Sequence, residues 1–389
     1  MVLRIPSQGI GSAMARTRLA IVGASVRAAA QSALRAGFDV VGADLFADSD
    51  LDGLCPVTKI PGAEYPDALA DWLAEQSVDA WMYTGALENH PDLVDRMAAI
   101  APLWGVSGEA LRRCRDPLVV QGVLAGYGVR FAETRLPFLR ALESEDWLFK
   151  TYRHSGGAGI RELHASEDRA VLNGQGFAQR FVVGAPCSVV FALSDTSAAA
   201  LGVCRQRIGT HDNSWAFAGA SGPVVHGAGV AVMLARLGAA LLQGLSLRGI
   251  VGVDFVVDTE RDSEATVVEI NPRFTASVEV HERVRRRSAA AELTAAFHGL
   301  AIDHWVGRIK QRVAKRFLFA TESVRIDEAF AAWMTTHDCA DRPRVGERIE
   351  AGRPVCTLFA EGDSVDTAEA NAELLAAEAL GVLSECRVD

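Results

Sequence analysis

The segment RLAIVGASVRAAAQSALRAGFDVVGADLF, residues 18–46, restricts the possible folds more than any other stretch of the chain. It reads as a strand (Leu19 to Val22), a glycine turn, a helix ending at Gly37 and a second strand from Phe38 to Ala43. Two apolar strands joined through a helix run parallel, and parallel sheets are covered on both faces. The helix YPDALADWLAEQ and the strand VDAWMYTG continue the alternation, so the predicted class is α/β, with a doubly wound parallel sheet at the N-terminus. Ligands of such sheets lie beyond the carboxyl ends of the strands. Here that edge carries Gly23 to Arg27, Asp44 and the segment TGALENHP, which makes Glu88, Asn89 and His90 candidate substrate contacts. The plainer alternative is that Gly23 only permits the turn and His90-Pro91 only starts a helix.

A chain of 389 residues exceeds a single compact unit, and two to four domains are expected. The formal net charge of -10 argues against nucleic acid or an anionic membrane as a partner, because both are polyanions. The local cluster Arg283, Arg285, Arg286 and Arg287 reads as a solvated helix face. Seven cysteines, an odd number without a C-x-x-C pair, form neither a disulfide framework nor a zinc site, so a reducing cytoplasm is the expected compartment. The most apolar region, Val224 to Val257, is interrupted by Arg236, Gln243 and Arg248, which leaves no membrane-length span. The first 17 residues carry arginines without a signal-peptide apolar core and are expected to be a flexible extension.

The stretch GIVGVDFVVDTERDSEATVVEINPRF carries the most chemistry. It reads as an antiparallel hairpin with its midpoint near Arg261 and Asp262. Asp254 and Glu269 are then equidistant from the turn and opposite each other, with Cβ atoms roughly 4.5–5.5 Å apart. Alternation puts Gly252, Asp254, Glu269 and Asn271 on one face. Two carboxylates so placed repel, and a bound cation removes that cost. Two carboxylates and one amide suit Mg²⁺, with Mn²⁺ as the second choice. A solvated polar face is the alternative, and a register slip of one residue undoes the argument. Arg273 follows Pro272 on a rigid bend, where its fork suits a phosphate or a carboxylate, or simply neutralises Glu269.

Lys150 ends the run DWLFK, immediately before TYRHSGGAGI. A cation on a strand, followed by a glycine loop whose amides wrap an anion, is a phosphate-clamping arrangement. The loop is not a P-loop, and on its own it reads equally as an ordinary mobile loop. No H-E-x-x-H, complete G-x-G-x-x-G or G-x-S-x-G occurs beside it. Beyond about Gly299, short β runs rich in Gly and Pro precede the helix TAEANAELLAAEALGVL, which predicts a small C-terminal domain of strands closed by a helix.

Lysine plus glycine loop, then AQRFVVG, then GVDFVV and VVEINPRF, in that order and spacing, resembles the ATP-grasp superfamily from about Arg18 to Gly299. The E-I-N-P-R string is the most specific part. The resemblance implies an ATP-grasp fold, α/β overall and α+β in its catalytic part, with four units. These are a doubly wound pre-ATP-grasp domain (18–115), a small lid subdomain (116–183), a catalytic subdomain with the Mg²⁺ hairpin (184–300) and a small β-rich C-terminal domain (301–389). By position it implies that Lys150 contacts ATP phosphate and that Ser155, Gly156, Gly157 and Gly159 close over the β- and γ-phosphates. It further implies that the backbone of Gln179, Arg180, Phe181 and Val182 reads adenine, that Asp254, Glu269 and Asn271 hold Mg²⁺, and that Arg273 stands near the transferred phosphate or acyl phosphate.

The implied cofactors are ATP and Mg²⁺. The implied activity is ATP-dependent ligation of a small-molecule carboxylate to an amine, with a homodimer left open as the assembly. One departure is Pro117 in RRCRDP, where many relatives carry lysine, and Arg113 or Arg115 is the candidate replacement. Substrate contacts are expected from ENHP, from FAGASGP with Ser221, and from TASVEVHER with His281, for which a structural role is the alternative. The strings RRCRDP, FAGASGP and NPRFTASVEV further resemble an ATP-grasp subgroup of one-carbon metabolism. That subgroup is similar to ligases joining glutamate to tyramine or a pterin in methanofuran and methanopterin cofactors. The C-terminal VGERIEAGRPVCTLFAEG is similar to the small β-domain that closes several ATP-grasp enzymes, and it lacks a lysine for a biotinyl-type carrier. Two readings compete: a non-catalytic nucleotide-binding scaffold with a degenerate site, motivated by Pro117, and a nicotinamide oxidoreductase. The oxidoreductase lacks its glycine fingerprint and leaves the Asp254/Glu269 pair unexplained.

Overall fold

The computed structural model describes residues 16–136, 146–153, 155–163, 174–210, 213–259, 264–302, 305, 307 and 309–386. The N-terminal extension up to residue 15, His154 of the glycine loop, and the hairpin midpoint at Arg261 and Asp262 lie outside the described residues. The first sheet is built from β1 (Arg18–Val22), α1 (Arg27–Arg35), β2 (Asp39–Asp44), β3 (Val57–Lys59), α2 (Ala68–Ala74) and β4 (Ala80–Tyr83). Its strands are parallel in the order β3-β2-β1-β4. The apolar runs of β1 and β4 are buried almost throughout, as strands covered on both faces must be.

Three helices lead out of this sheet: α3 (Pro91–Ala98), α4 (Gly108–Arg115) and α5 (Pro117–Gly126). The hydroxyl of Ser107 caps α4, and the Asp116 carboxylate accepts from the amides of Leu118 and Val119 to cap α5. Pro117 takes the first helical position of α5, where its missing N–H is no loss. A small antiparallel sheet follows, from β5 (Thr134–Arg135), β6 (Trp147–Thr151), β7 (Ile160–Glu162) and β8 (Gly176–Arg180), in the order β5-β8-β6-β7.

The central sheet begins with β9 (Ala185–Leu193), β10 (Ala198–Ile208) and β11 (Phe217–Gly222), and after α6 (Ala228–Ala239) it adds β12 (Gly249–Val257) and β13 (Ala265–Asn271). Alternation sorts its side chains onto two faces. Val189, Phe191, Val251 and Val253 pack with α6, α4 and α5, whereas Val190, Ala192 and Ile250 pack with α7 (Val278–Arg285), α8 (Ala289–Phe297) and α1. Both clusters include side chains of the N-terminal sheet and so tie it to the central one.

The C-terminal segment contains β14 (Arg312–Phe319), β15 (Val324–Arg325), α9 (Glu328–Thr336), β16 (Cys339–Ala340), β17 (Arg348–Ile349), β18 (Pro354–Gly362) and α10 (Val365–Leu383). The sequence suggests a separate unit here, but β14 pairs with β11, and the central sheet runs on without a break as β13-β12-β9-β10-β11-β14-β18-β16. The expected boundary at residue 300 therefore falls inside one continuous sheet. A buried ionic hub fastens the regions. Arg27 of α1 has no exposed surface and donates from Nη2 to Glu279 of α7 at 3.0 Å and from Nε to Asp341 at 2.8 Å. Glu279 also accepts from Lys315 of β14 at 2.9 Å. Among the described residues no helix is long and apolar enough to cross a membrane.

Candidate active site

The hairpin β12–β13 places Asp254 opposite Glu269 and Gly252 opposite Asn271. Nearer the turn the register differs from the symmetric expectation. Phe255 faces Val267, so an unbroken ladder would put Val268 against Asp254, and the register shift between Asp254 and Phe255 brings Glu269 there instead. Asp254 accepts from Asn271 Nδ2 at 2.9 Å and from Gln206 Nε2 at 2.8 Å. Burial, and then the facing Glu269, push the Asp254 carboxyl up to about 7. The pair is thus held together against its own repulsion, which a cation would relieve. The donor set is two carboxylates and the amide oxygen of Asn271. Among the described residues no group of three or more His, Cys, Asp or Glu side chains is arranged to hold a metal ion. A site of this kind leaves positions for water and phosphate oxygens, which fits Mg²⁺ rather than a metal that needs a full protein cage.

Lys150 sits near the end of β6 with 5% exposure. Burial pushes its ammonium down, and Glu269 and Asp254 oppose that shift, so the lysine stands in the field of both carboxylates. Of the two arginines proposed to replace a lysine at position 117, the structure brings only one to this place. Arg113 donates to the Gly244 carbonyl at 2.6 Å. Arg115, the last residue of α4, lies 3.6 Å from Glu269 and donates to Asn89 Oδ1 at 2.9 Å and to the Tyr152 carbonyl at 3.0 Å. A cavity of about 30 Å³ is lined by Lys150, Gln179, Glu269 and Arg115.

The glycine loop leaves β6 and returns as β7. Gly156, Gly157 and Gly159 have φ of +60°, +86° and +78°, a conformation that side-chain-bearing residues rarely adopt. A Cβ on Gly157 would come within 1.9 Å of the Trp215 carbonyl, and Phe217 N–H donates to the Gly156 carbonyl at 3.2 Å, so glycine is what lets this loop lie against the start of β11. Ser155 accepts through its carbonyl from Ala158 N–H at 3.1 Å. In the adjoining segment Gln179 is buried, while the amides of Arg180 and Phe181 donate to Glu133 and Asp146 carbonyls, each at 2.8 Å. Those two amides are committed within the protein.

Arg273 donates from Nε to Glu88 Oε1 at 2.7 Å. Its nearest counter-charge is therefore Glu88 and not Glu269, and the Glu88–Asn89 turn is drawn into the site by Arg273 and Arg115. His90 is half-buried beside it, its imidazole pushed down by burial and by Arg153. Ser221 is buried in β11, between Arg205 of β10 and Ala314 of β14, and lines neither this cavity nor the larger one described below.

His281 is a correction. The sequence places it among substrate contacts, but its ring is fully buried, 3.4 Å from Cys204 Sγ and packed over Gly202, where a Cβ would stand 2.5 Å from the ring. Burial, with Arg285 adding, pushes its pKa down to about 3. The folded protein thus keeps this imidazole neutral while the unfolded chain protonates it near its ordinary value of about 6.5. Stability is expected to fall as pH drops from about 6.5 towards 3, with this group contributing up to about 1.4 kcal/mol per pH unit. Urea unfolding over that range should show a shallower pH slope for His281→Gln than for the wild type, and identical slopes would refute the assignment.

Sequence reasoning missed Gln206, which lies near the end of the long strand β10. It also missed Ser188 of β9, which pairs with Asp254 of β12 and has its hydroxyl buried and, among the described residues, unpartnered. The position of Ser188 along β9 carries the signal for it.

Residues 133–277 match the family model described as an ATP-grasp domain. No curated protein matches the chain by sequence. Among solved structures, N5-carboxyaminoimidazole synthase from Aspergillus clavatus, in complex with ADP and 5-aminoimidazole ribonucleotide, superposes with a TM-score of 0.72 at 12% identity, covering 94% of this chain and 99% of that one. The L-amino acid ligase from Bacillus licheniformis gives 0.68 at 16% identity, covering 93% and 98%. Biotin carboxylase from Campylobacter jejuni, in a β-γ-ATP complex, gives 0.68 at 14%, covering 90% and 89%. The chain thus carries an ATP-grasp domain at residues 133–277, and it shares its overall fold with these solved structures.

Proposed function

We propose that the protein is an ATP-dependent carboxylate–amine ligase that forms an amide through an acyl phosphate, with release of ADP and phosphate. The observation that carries this reading is the meeting of the opposed Asp254–Glu269 pair with the buried Lys150 at one cleft. A substrate carboxylate oxygen attacks the γ-phosphorus and ADP leaves. The amine nitrogen then attacks the acyl carbon, the C–N bond forms as the C–O bond to phosphate breaks, and the nitrogen gives up its proton to the departing phosphate or to water. Lys150 holds the phosphate chain in place before transfer, and Arg273 holds the acyl phosphate oxygens. Asp254, Glu269 and Asn271 would hold Mg²⁺, which would neutralise charge on the phosphates. Closure of the 155–159 loop keeps water from the acyl phosphate.

A glutamate-type ligation in one-carbon cofactor biosynthesis is the finer form of this proposal, supported by the three sequence strings named above. It makes glutamate the first substrate to screen. Seven thiols outside any disulfide support a reducing compartment such as the cytoplasm. Arg115, 3.6 Å from Glu269, weighs against the degenerate scaffold that Pro117 suggested, because it brings a cation to that elbow. The test is calorimetric titration of the full chain with ADP, with and without Mg²⁺. Mg²⁺-dependent binding is expected, and no ADP binding under either condition would remove the ligase reading.

A further inference from the structure

A second cavity, of about 460 Å³, opens between the Glu88–Pro91 turn, the α4–α5 elbow, and Tyr152 and Arg153 after β6. Its volume is that of a small-molecule site. It shares Arg115, Pro117 and Tyr152 with the small cavity that holds Lys150 and Glu269, so an occupant would lie against the wall that faces the nucleotide.

Glu88 lines this cavity and is 1% exposed. Its Oε1 is held by Arg273, while its Oε2 is buried and has no hydrogen-bond partner among the described residues. The Tyr65 hydroxyl is likewise buried and unpartnered, and after burial itself the Glu88 carboxylate is the largest influence raising its pKa. A buried carboxylate oxygen without a donor is costly, and proteins keep such groups rarely. An ammonium is the natural outside partner, since it brings three donors and the opposite charge.

The cavity's guanidinium groups differ in how far they are committed. Arg112 is taken by Asp92 and Asp95, and Arg115 by Asn89, Tyr152 and Glu269. Arg153 has no acidic partner among the described residues, and its planar fork suits a carboxylate or a phosphate.

We propose that this cavity is the amine-acceptor site, and that it takes a small amine carrying an anionic group, as an amino acid does, with the ammonium on Glu88 Oε2 and the anionic end on Arg153. The proposal rests on the ligase reading, to which it adds the second substrate. Because Glu88 is bonded to Arg273, the amine nitrogen is held beside the side chain assigned to the acyl phosphate, and it attacks as the free amine after the ammonium gives one proton to Glu88 or to water.

The experiment is calorimetry on the full chain with the standard amino acids as probes, with and without ADP and Mg²⁺, and with ethylamine and acetate as one-ended controls. At least one amino acid should bind, more tightly than either control. Glu88→Gln and Arg153→Ala should each weaken it tenfold or more, while ADP binding shows that both variants are folded. The site assignment is overturned if a wild-type protein that binds ADP binds no amino acid, if ethylamine binds as tightly as the amino acid, or if neither substitution weakens binding. Failure of the wild type to bind ADP is a separate result. It removes the ligase reading, and the amino-acid titrations without nucleotide still decide the cavity.

Discussion

Glu269→Gln is expected to lower ADP-forming turnover by about two to three orders of magnitude, the usual cost of losing one electrostatic group at a reacting phosphate. The substitution keeps shape and removes one negative charge from the pair that faces across β12 and β13. In the unliganded protein that charge is a burden, since burial and Glu269 together push the Asp254 carboxyl up to about 7. The variant should therefore melt no lower than the wild type while losing both turnover and the upward shift in Tm that Mg²⁺ with ADP produces. ADP release under saturating ATP, with whichever acceptor supports the wild type, measures the first effect, and thermal melts measure the second. Turnover within tenfold of wild type would mean that the hairpin is not the metal site. A lowered Tm would mean that Glu269 supports the fold rather than the chemistry.

Glu279→Gln is expected to cost about 3–5 kcal/mol of stability, the range for removing one partner of a buried ion pair. Arg27 and Lys315 both lean on this carboxylate, and after the change Asp341, with Asp50 at 3.8 Å from Arg27, is left to face two buried cations. Burial by itself raises the Glu279 carboxyl, but Arg27 and Lys315 outweigh it and hold the group well below the usual range. A depressed acid contributes stability that is complete above its unfolded pKa of about 4.3 and is lost as pH falls below it. The penalty should therefore be full at pH 7 and shrink in acid. Urea unfolding at pH 7 and pH 4 reads both. A loss under about 1 kcal/mol at pH 7 would show that the hub relaxes around the missing charge. Since whole domains are stable by only about 5–15 kcal/mol, the expected loss is enough to loosen the junction of α1, α7 and β14.

Much of the site is legible in local sequence. The spacing of Asp254 and Glu269 about a polar turn, the lysine closing an apolar run, and glycines where the loop needs left-handed backbone are short-range properties, and strand alternation and backbone sterics enforce them. The hairpin argument nonetheless reached the facing pair through a register that holds only on the side of Asp254 away from the turn. The shift that leaves Val268 between rungs has no mark in the spacing and is seen only in the paired strands β12 and β13.

What the sequence by itself determined is the β-α-β opening, the hairpin with its opposed acids, and a lysine closing an apolar strand before a glycine loop. The tertiary structure alone decided that Arg273 answers to Glu88, 185 residues away, that Arg115 rather than Arg113 reaches the site, that His281 turns into the core, and that β14 extends the central sheet through β11. The physical reason is the range of the forces that set each feature. Alternation and turn sterics act over a few residues and leave a periodic trace. The partner of a buried charge or the neighbour of an edge strand is chosen by whichever distant groups the packed core brings within a few ångströms, and desolvation then makes that choice binding.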